Sequence, residues 1–418
     1  MQDKTQQGAA APQDFDVVIV GIGMVGAALA ALLGRDGVSV AMVDARPFSL
    51  SLDGVGDGLP APRVSALTPV SQRLLGSLRA WETIRQRRAT PYTAMHVWDG
   101  EGSGSIAFRA DQAGVATLGH IVENDVVLAA LEEQLERMPN VVRLYAHKVS
   151  SLEESVEGRA VMLDDGRKLR AALVVGADGA RSHLRSMAGI DISERDTGHH
   201  ALVTTVRTAL PHAATARQVF LANGPLAFLP LTVDGDDHYC SIVWSTAPEH
   251  ASQLACLSRE ALGQAMAQAF DDRLGKVEVL DEARTFPLAQ RHAVTYHLPG
   301  LALVGDAAHS IHPLAGQGVN LGLMDAAVLA EELLEGRRRG VGFGETAVLA
   351  RYERRRRGDN ATMLALMDGF RQLFGARHPA VTLLRNFGLS SVNRLSPLKR
   401  LLMQQATGQR GRLPLSCR

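Results

Sequence analysis

Unbroken apolar runs and helical patterns occupy the two ends of this chain, while thin alternating runs fill its middle. Residues 16–20, 38–43, 173–175 and 301–304 are short and almost wholly apolar. Runs of that kind suit strands buried on both faces of a parallel sheet. Helical patterns lie at residues 27–35, stopped by Gly37, at 69–81, at 125–137, and from Gly316 to about Glu335. Between residues 191 and 283 the texture changes. Residues 201–207, 219–221, 227–231 and 239–244 read as short strands separated by turns, with one amphipathic helix at 258–270. This is the pattern of an antiparallel sheet, a layer distinct from the first. Residues 96–108 alternate around Asp99-Gly100, a hairpin signal. Residues 141–145, 149–152 and 161–163 look like strands of a further small sheet, and residues 351–402 are amphipathic helix.

Composition narrows the picture. A chain of 418 residues that is 46% hydrophobic and 21% charged has the balance of a soluble enzyme. Its 44 Lys and Arg match 44 Asp and Glu, so the whole molecule carries no bias toward nucleic acid. Cys240, Cys256 and Cys417 have no metal-like spacing and fit a reducing compartment. Residues 1–14 are polar and Ala/Gln-rich, lack the apolar core of a signal peptide, and are expected to be disordered. No apolar run is long enough to span a bilayer, so the expected location is cytoplasmic. The charge is uneven, however. Five arginines lie within 351–357, and beyond Asp359 Asp368 is the only acid against nine Lys or Arg. These basic helices are either a solvated face packed on the main body or a dock for anionic lipid.

The chemistry sits at the ends of the apolar runs. Gly21-Ile-Gly23-Met-Val-Gly26 turns the first strand into a helix, and Asp44 ends the second strand. Gly21 permits the tight turn, Gly23 lets backbone approach a pyrophosphate, Gly26 lets helix pack on sheet, and Asp44 can accept from ribose hydroxyls. Two further acid-bearing turns follow other apolar runs: Asp178-Gly179 and Gly305-Asp306. A nicotinamide dehydrogenase needs one such fingerprint. A cofactor gripped along its whole length, as FAD is, needs the others. The glycine-rich helix start at Gly316, Gln317, Gly318, Val319 and Asn320 offers free N–H groups and a dipole to an electron-rich group.

The set of GxGxxG, a central Asp-Gly-x-x-Ser-x-x-Arg and a late Gly-Asp-Ala-x-His-x-x-x-Pro resembles the single-component flavoprotein aromatic hydroxylases, with the p-hydroxybenzoate hydroxylase fold. The string from His312-Pro313 to Asp325 resembles the signature of the UbiH/UbiF/VisC ubiquinone-biosynthesis hydroxylases. Arg63-Val-Ser-Ala, Leu118-Gly-His-Ile-Val-Glu-Asn124 and Cys240-Ser-Ile-Val-Trp-Ser245 look most like the UbiI (VisC) 2-polyprenylphenol hydroxylase branch. The resemblance implies an α/β fold. A discontinuous Rossmann-like FAD domain would comprise 15–190 and 284–340, with an antiparallel substrate domain at 191–283, aided by 90–110, and a helical region at 341–418. It implies Gly21, Gly23 and Gly26 at the ADP moiety, Asp44 at the ribose, and Asp306 beside Gly305 at the ribityl or pyrophosphate region. Pro313 and the helix start would lie against the isoalloxazine, Arg63 and Asn124 would be further FAD contacts, and Asp178-Gly179 would serve both FAD and pyridine nucleotide. Where the branch has Tyr-Gln, this chain has Thr197-Gly198, which implies a roomier or differently polar pocket.

The activity so implied is hydroxylation of a polyprenylated phenol through a flavin hydroperoxide formed with O2, with NAD(P)H or a partner reductase as electron donor. A biosynthetic complex and peripheral contact with the inner face of the cytoplasmic membrane would follow from such a substrate. Rival readings are a hydroxylase of a small soluble aromatic and a flavin-containing assembly subunit. Two histidines, His199 and His200, could deprotonate a phenol, though neighbours on a strand face opposite sides. His309 and His312 lack a carboxylate or cysteine to complete a metal set, so no metal is expected. Trp244 and Phe228 either line the pocket or belong to the core.

Overall fold

The structure is a computed structural model that describes residues 12–48, 50, 53–102, 104–155, 158–310, 318–375, 408–409 and 411–418. Among these residues the strands form three sheets. The first is built on parallel neighbours in the order Leu301–Leu303, Lys168–Gly176, Gln13–Val20, Val40–Asp44 and Val141–Tyr145. The first strand in sequence lies in the middle, so connections leave it in both directions. That reversal of strand order opens a crevice at the carboxyl ends, where open α/β sheets bind ligands. The apolar runs pass through it fully buried: Val17, Val18 and Ile19, Leu173, Val174 and Val175, and Leu301, Ala302 and Leu303 all have no exposed surface.

The helix Met24–Arg35 is buried over nine consecutive residues, Gly26 to Gly34. Four of them are alanines (Ala27, Ala28, Ala30 and Ala31), which bury little side-chain volume and let the helices Asn124–Glu136 and Gly318–Arg338 approach closely. At its far end Asn140 Nδ2 donates to the carbonyls of Gly34 and Val38, 2.8 Å each, and holds the turn into Val40–Asp44.

A nine-stranded sheet forms the second layer. Its centre is the antiparallel meander Thr215–Leu221, Gly224–Val233 and Asp236–Thr246, paired to Ile192–Thr208. The expected hairpin is present as Ala94–Asp99 and Ser105–Arg109, and it joins this sheet through Thr215–Leu221. Arg284–Ala293, placed by sequence with the first domain, pairs along Ile192–Thr208 in the second sheet. Its mostly exposed and half-buried positions suit an outer strand, which an apolar-run criterion does not register. The third sheet pairs Gly119–Glu123 antiparallel with Val64–Leu67 on one side and Thr90–Tyr92 on the other.

Several local expectations need correction. The pattern over 69–81 is two helices, Pro69–Ser77 and Trp81–Arg87, because Arg79 adopts φ 61° and ends the first in a left-handed cap. Val141–Tyr145 belongs to the edge of the main parallel sheet, whereas Val149–Ser155 and Gly158–Leu163 branch from it antiparallel. The first strand begins at Gln13, inside the stretch expected to be disordered, and Asp14 pairs with Arg170 at 2.6 Å.

The arginine run lies on the helix Thr346–Gly375. Arg351 and Arg355 reach Glu332 and Glu331 of the preceding helix, Arg356 reaches Asp325, and Arg357 pairs with Glu353. Four of these five charges are thus satisfied by acids, and Arg354 is exposed with no ion pair among the described residues. Most of the later basic region lies outside the described residues. No described helix is long and apolar enough to cross a membrane.

Two predictions follow from the packing. A Cβ at Gly26 would lie 2.1 Å from the Gly21 carbonyl oxygen. Gly26→Ala is expected to cost at least about 1–3 kcal/mol in urea unfolding, the range for overpacking a filled core. Cys240 and Cys417 are buried, and burial pushes the Cys240 thiol up to about 12, whereas Cys256 is exposed. A thiol reagent should therefore label Cys256 rapidly in the native protein and all three cysteines only after unfolding.

Candidate active-site cleft

Three turns meet at the carboxyl ends of three adjacent parallel strands. At the first, Gly21 has φ +106°, and a Cβ there would lie 2.3 Å from the Ala177 carbonyl oxygen and 2.7 Å from the Asp178 Cα. Gly26 is wedged against Gly21, as above. Gly23 differs: a Cβ would meet nothing within 4 Å. Gly23 also precedes the helix Met24–Arg35 in extended conformation with no side-chain cap, so the first-turn N–H groups lack side-chain partners. An open Gly23 at an uncapped helix start is the arrangement a pyrophosphate occupies. Asp44 accepts from Ile22 N–H at 2.8 Å and from Arg46 N–H at 2.8 Å, with the Arg46 guanidinium at 3.2 Å. Burial opposes ionisation of Asp44, but these bonds prevail and lower its pKa.

The second turn is joined to the first by Ala177 N–H donating to the Val20 carbonyl at 2.7 Å. Asp178 Oδ2 caps the short helix His183–Met187 by accepting from His183 and Leu184 N–H, at 2.7 and 3.0 Å. Asp178 Oδ1 is buried with no hydrogen-bond partner among the described residues. Gly179 has φ +84° and open space where a Cβ would stand. Arg185 is buried and donates to the carbonyls of Ala307 and Ala180, at 2.8 and 3.2 Å, which ties this turn to the third.

The third turn is Gly305–Ala307. Gly305 has φ +59°, and a Cβ there would press on Val25 at 3.2 Å; Gly322, one helix away, would put its Cβ 2.6 Å from the same side chain. Behind the turn lies Asp325, with no exposed surface. Gly305 N–H and His309 Nε2 donate to its Oδ2, at 3.0 and 2.5 Å, and Arg356 Nε and Asn360 Nδ2 donate to its Oδ1, at 2.7 and 3.2 Å. Burial works against the charge, but His309 and Arg356 prevail and hold the Asp325 carboxyl at about 2. Asp306 has an exposed side chain although protein crowds around it, the signature of a cleft floor. That crowding raises its pKa against the pull of His309 and Arg63.

Arg63 has an exposed side chain, close enough to Asp306 for its charge to favour that carboxylate. Its carbonyl accepts from Asn124 N–H at 3.0 Å, and Asn124 Oδ1 accepts from Ser65 at 2.6 Å. Glu123 is buried with Arg88 at 2.9 Å and accepts from Ala61 N–H at 2.6 Å, while Arg88 also donates to the carbonyls of Gly56 and Gly58. This pair staples the glycine-rich loop that leads to Arg63. Asn320 is committed to holding the helix start in place: it donates to the Ala66 carbonyl at 2.8 Å and accepts from Thr68 N–H at 3.0 Å and Ser71 Oγ at 2.7 Å. Gly318 opens that helix with open space at its Cβ position, and Val319 packs on the main core. Pro313, Gly316 and Gln317 lie outside the described residues.

On the second sheet, Thr197 and Gly198 form a β-bulge in Ile192–Thr208. Thr197 Oγ1 donates to the Leu288 carbonyl at 2.6 Å, and Gly198 has φ +67°. His199 and His200 follow directly, both half-buried on opposite faces. Trp244 and Phe228 are buried in the core of this sheet, together with Cys240.

The structure thus brings Gly21, Gly23, Gly26, Asp178, Gly179, Gly305 and Asp306 together, with Arg63 and Asp44 at the margins. An open glycine at an uncapped helix start, the orphaned Asp178 oxygen and the exposed Asp306 on a crowded floor suit an elongated dinucleotide such as FAD. Sequence reading missed the support behind it: Asp325, Arg356, Asn360, Glu123 and Arg88. Asp325 and Glu123 stood inside quoted motifs, but Arg356 was one arginine in a basic run, with no local sign of its partner.

A family profile described as FAD binding domain matches residues 14–365. The 3-demethoxyubiquinol 3-hydroxylase of Escherichia coli (strain K12) is 38% identical over 397 residues, covering 95% of this chain and 99% of that protein. The mitochondrial ubiquinone biosynthesis monooxygenase COQ6 of Xenopus tropicalis is 35% identical over 449 residues, covering 95% and 94%. Among solved structures, p-nitrophenol 4-monooxygenase PnpA from Pseudomonas putida DLL-E4 superposes with a TM-score of 0.76 at 22% identity, over 96% of this chain and 100% of that one. That last likeness is one of fold.

The Asp325 cluster makes a prediction about acid stability. A carboxyl held at about 2, below its ordinary 3.8, adds stability above the unfolded pKa and loses it as pH falls through the folded one. The wild-type melting temperature should therefore drop more steeply between pH 4 and pH 2 than that of Asp325→Asn, as followed by circular dichroism.

Proposed function

The chain belongs to the FAD-dependent hydroxylase family of ubiquinone biosynthesis, and on that premise we propose that it hydroxylates the ring of a phenol or hydroquinone bearing a polyprenyl tail. The observation that carries this reading is the meeting of three glycine-bearing turns, two of which present an acid, at the carboxyl ends of adjacent parallel strands. In this reading Gly21, Gly23 and Gly26 receive the ADP moiety and Asp44 the adenosine ribose. Asp178, Gly179 and Asp306 hold the middle of the cofactor, with Arg63 and Asn124 at its side. Gly318, Val319 and Asn320, at the start of the long helix, are assigned to the ring system.

FAD, when reduced by NAD(P)H or a partner reductase, supplies the activation of O2. The residues of this chain bind, orient and shield. The helix beginning at Gly318 directs its N-terminal dipole toward charge developing beside it. Its place is set by Asn320 clamping Ala66, Thr68 and Ser71. The ring hydroxyl proton has two candidate acceptors, His199 and His200, on the strand that follows the bulge.

Substrate choice lies between a polyprenylphenol and a demethoxyubiquinol, the latter supported by the name of the Escherichia coli relative. Either carries a tail that partitions into the bilayer, so peripheral contact with the cytoplasmic membrane or a biosynthetic complex would give access to it. We propose that the nucleotide sheet with its helices and the nine-stranded sheet act as cofactor and substrate units.

The test is oxygen uptake and product analysis by the FAD-loaded protein, with isotopically labelled O2, a nicotinamide donor and short-tailed analogues of both substrates. One labelled hydroxyl on a tailed ring is expected. Asp306→Ala should weaken FAD retention by about 10–100-fold, the worth of one charge-assisted hydrogen bond. Preference for tail-less phenols would overturn the substrate class. FAD bound without substrate-stimulated uptake would overturn hydroxylation itself.

A further inference from the structure

We propose that Asp325 is a positioning residue for the flavin site, which sets Asp306 through the Gly305 N–H and links that turn to the second sheet through His309. The carboxylate lies on the buried face of Gly318–Arg338, and its four donors come from three separate stretches. Gly305 belongs to the turn that presents Asp306. His309 begins the two-residue strand His309–Ser310, which pairs with Arg291 and His292 of the nine-stranded sheet. Arg356 and Asn360 lie on the C-terminal helix. One side chain therefore fixes the point where the chain leaves the nucleotide sheet and enters the substrate sheet.

Stability alone does not account for this arrangement. Replacing a buried ion pair by well-packed neutral groups is often neutral or stabilising, so a scaffold has no need of the charge. What the carboxylate does that a neutral side chain of the same size does not is accept at all four positions. An amide in its place offers one oxygen and one N–H, and its N–H would face either the Gly305 and His309 donors or those of Arg356 and Asn360. Gly305 is held at φ +59° with Val25 against it, so a shift of its N–H is passed to Asp306, the next residue. The network extends outward in the same direction: Asn360 Nδ2 donates to Tyr296 Oη at 3.4 Å, Tyr296 is hydrogen-bonded to His292 at 2.8 Å, and the Tyr296 ring stacks on His309 with centroids 5.9 Å apart. His292 lies on the strand opposite His309, which closes the loop between the two sheets.

This inference rests on FAD lying against Asp306. The test uses the full chain stripped of flavin and measures FAD affinity by flavin-fluorescence quenching, with the melting temperature of the apoprotein and the flavin midpoint potential recorded beside it. The informative variant is Asp325→Asn combined with Arg356→Gln, which removes both buried charges. Expected are an apoprotein that still folds and melts cooperatively, FAD affinity about tenfold weaker, and a shifted potential. A double variant that recovers stability and also binds FAD as wild type does would overturn the proposal. Should the double variant fail to fold, His309→Gln is read instead: weaker FAD at normal stability supports the link, and unchanged FAD overturns it. Asp306→Ala is run in parallel. If it leaves FAD affinity unchanged, the placement of FAD has failed; if it weakens FAD and the Asp325 double variant does not, the role of Asp325 alone has failed.

Discussion

The buried carboxylate of Asp325 is the constraint on which the rest of this structure turns. A charge with no exposed surface is costly unless every acceptor site is filled, and here backbone, imidazole, guanidinium and amide fill them. Satisfying it brings residues 305–309, the helix that carries Asp325 and the helix Thr346–Gly375 to one point. The glycine turn ahead of Asp306, the crossover strand at His309 and the C-terminal helix at Arg356 cannot drift apart without stranding a buried charge. Four of the five arginines in the run on that helix use their charges on Asp325, Glu331, Glu332 and Glu353.

Steric closeness makes the same region rigid from the other side. Gly21, Gly26 and Gly322 each stand where a Cβ would overlap backbone or a branched side chain. The three turns are packed on one another through these absences, and Gly23, Gly179 and Gly318 are left facing open space. The first group holds the cleft together and the second gives it room. Glycines of identical composition thus do opposite work according to their place in the tertiary packing.

A second buried pair repeats the logic at the cleft margin. Glu123 and Arg88 hold each other at 2.9 Å and use their remaining capacity on the backbone of residues 56 to 61. A loop rich in glycine would otherwise carry a large conformational entropy, and Arg63 follows it directly. The pair therefore limits where Arg63 can be. Asn320 does the same for the other end of that strand through Ala66 and Thr68.

Sequence alone determined the sheet and the turns of the cleft. Apolar runs ending in Gly-x-Gly, Asp-Gly and Gly-Asp specify strand, turn and chemistry within a dozen residues, because burial and backbone freedom are local demands. It determined the family as well, through motifs spread over nearly the whole chain. Tertiary structure decided what depends on partners far apart in number. Asp325 and Arg356 are each ordinary helical residues until the fold sets one against the other. Arg284–Ala293 lacks the apolar signal of a strand because its pairing, not its burial, holds it. Which acids Arg351, Arg355 and Arg356 would meet was open in the sequence, since a charge reveals its counter-charge only when two helices meet.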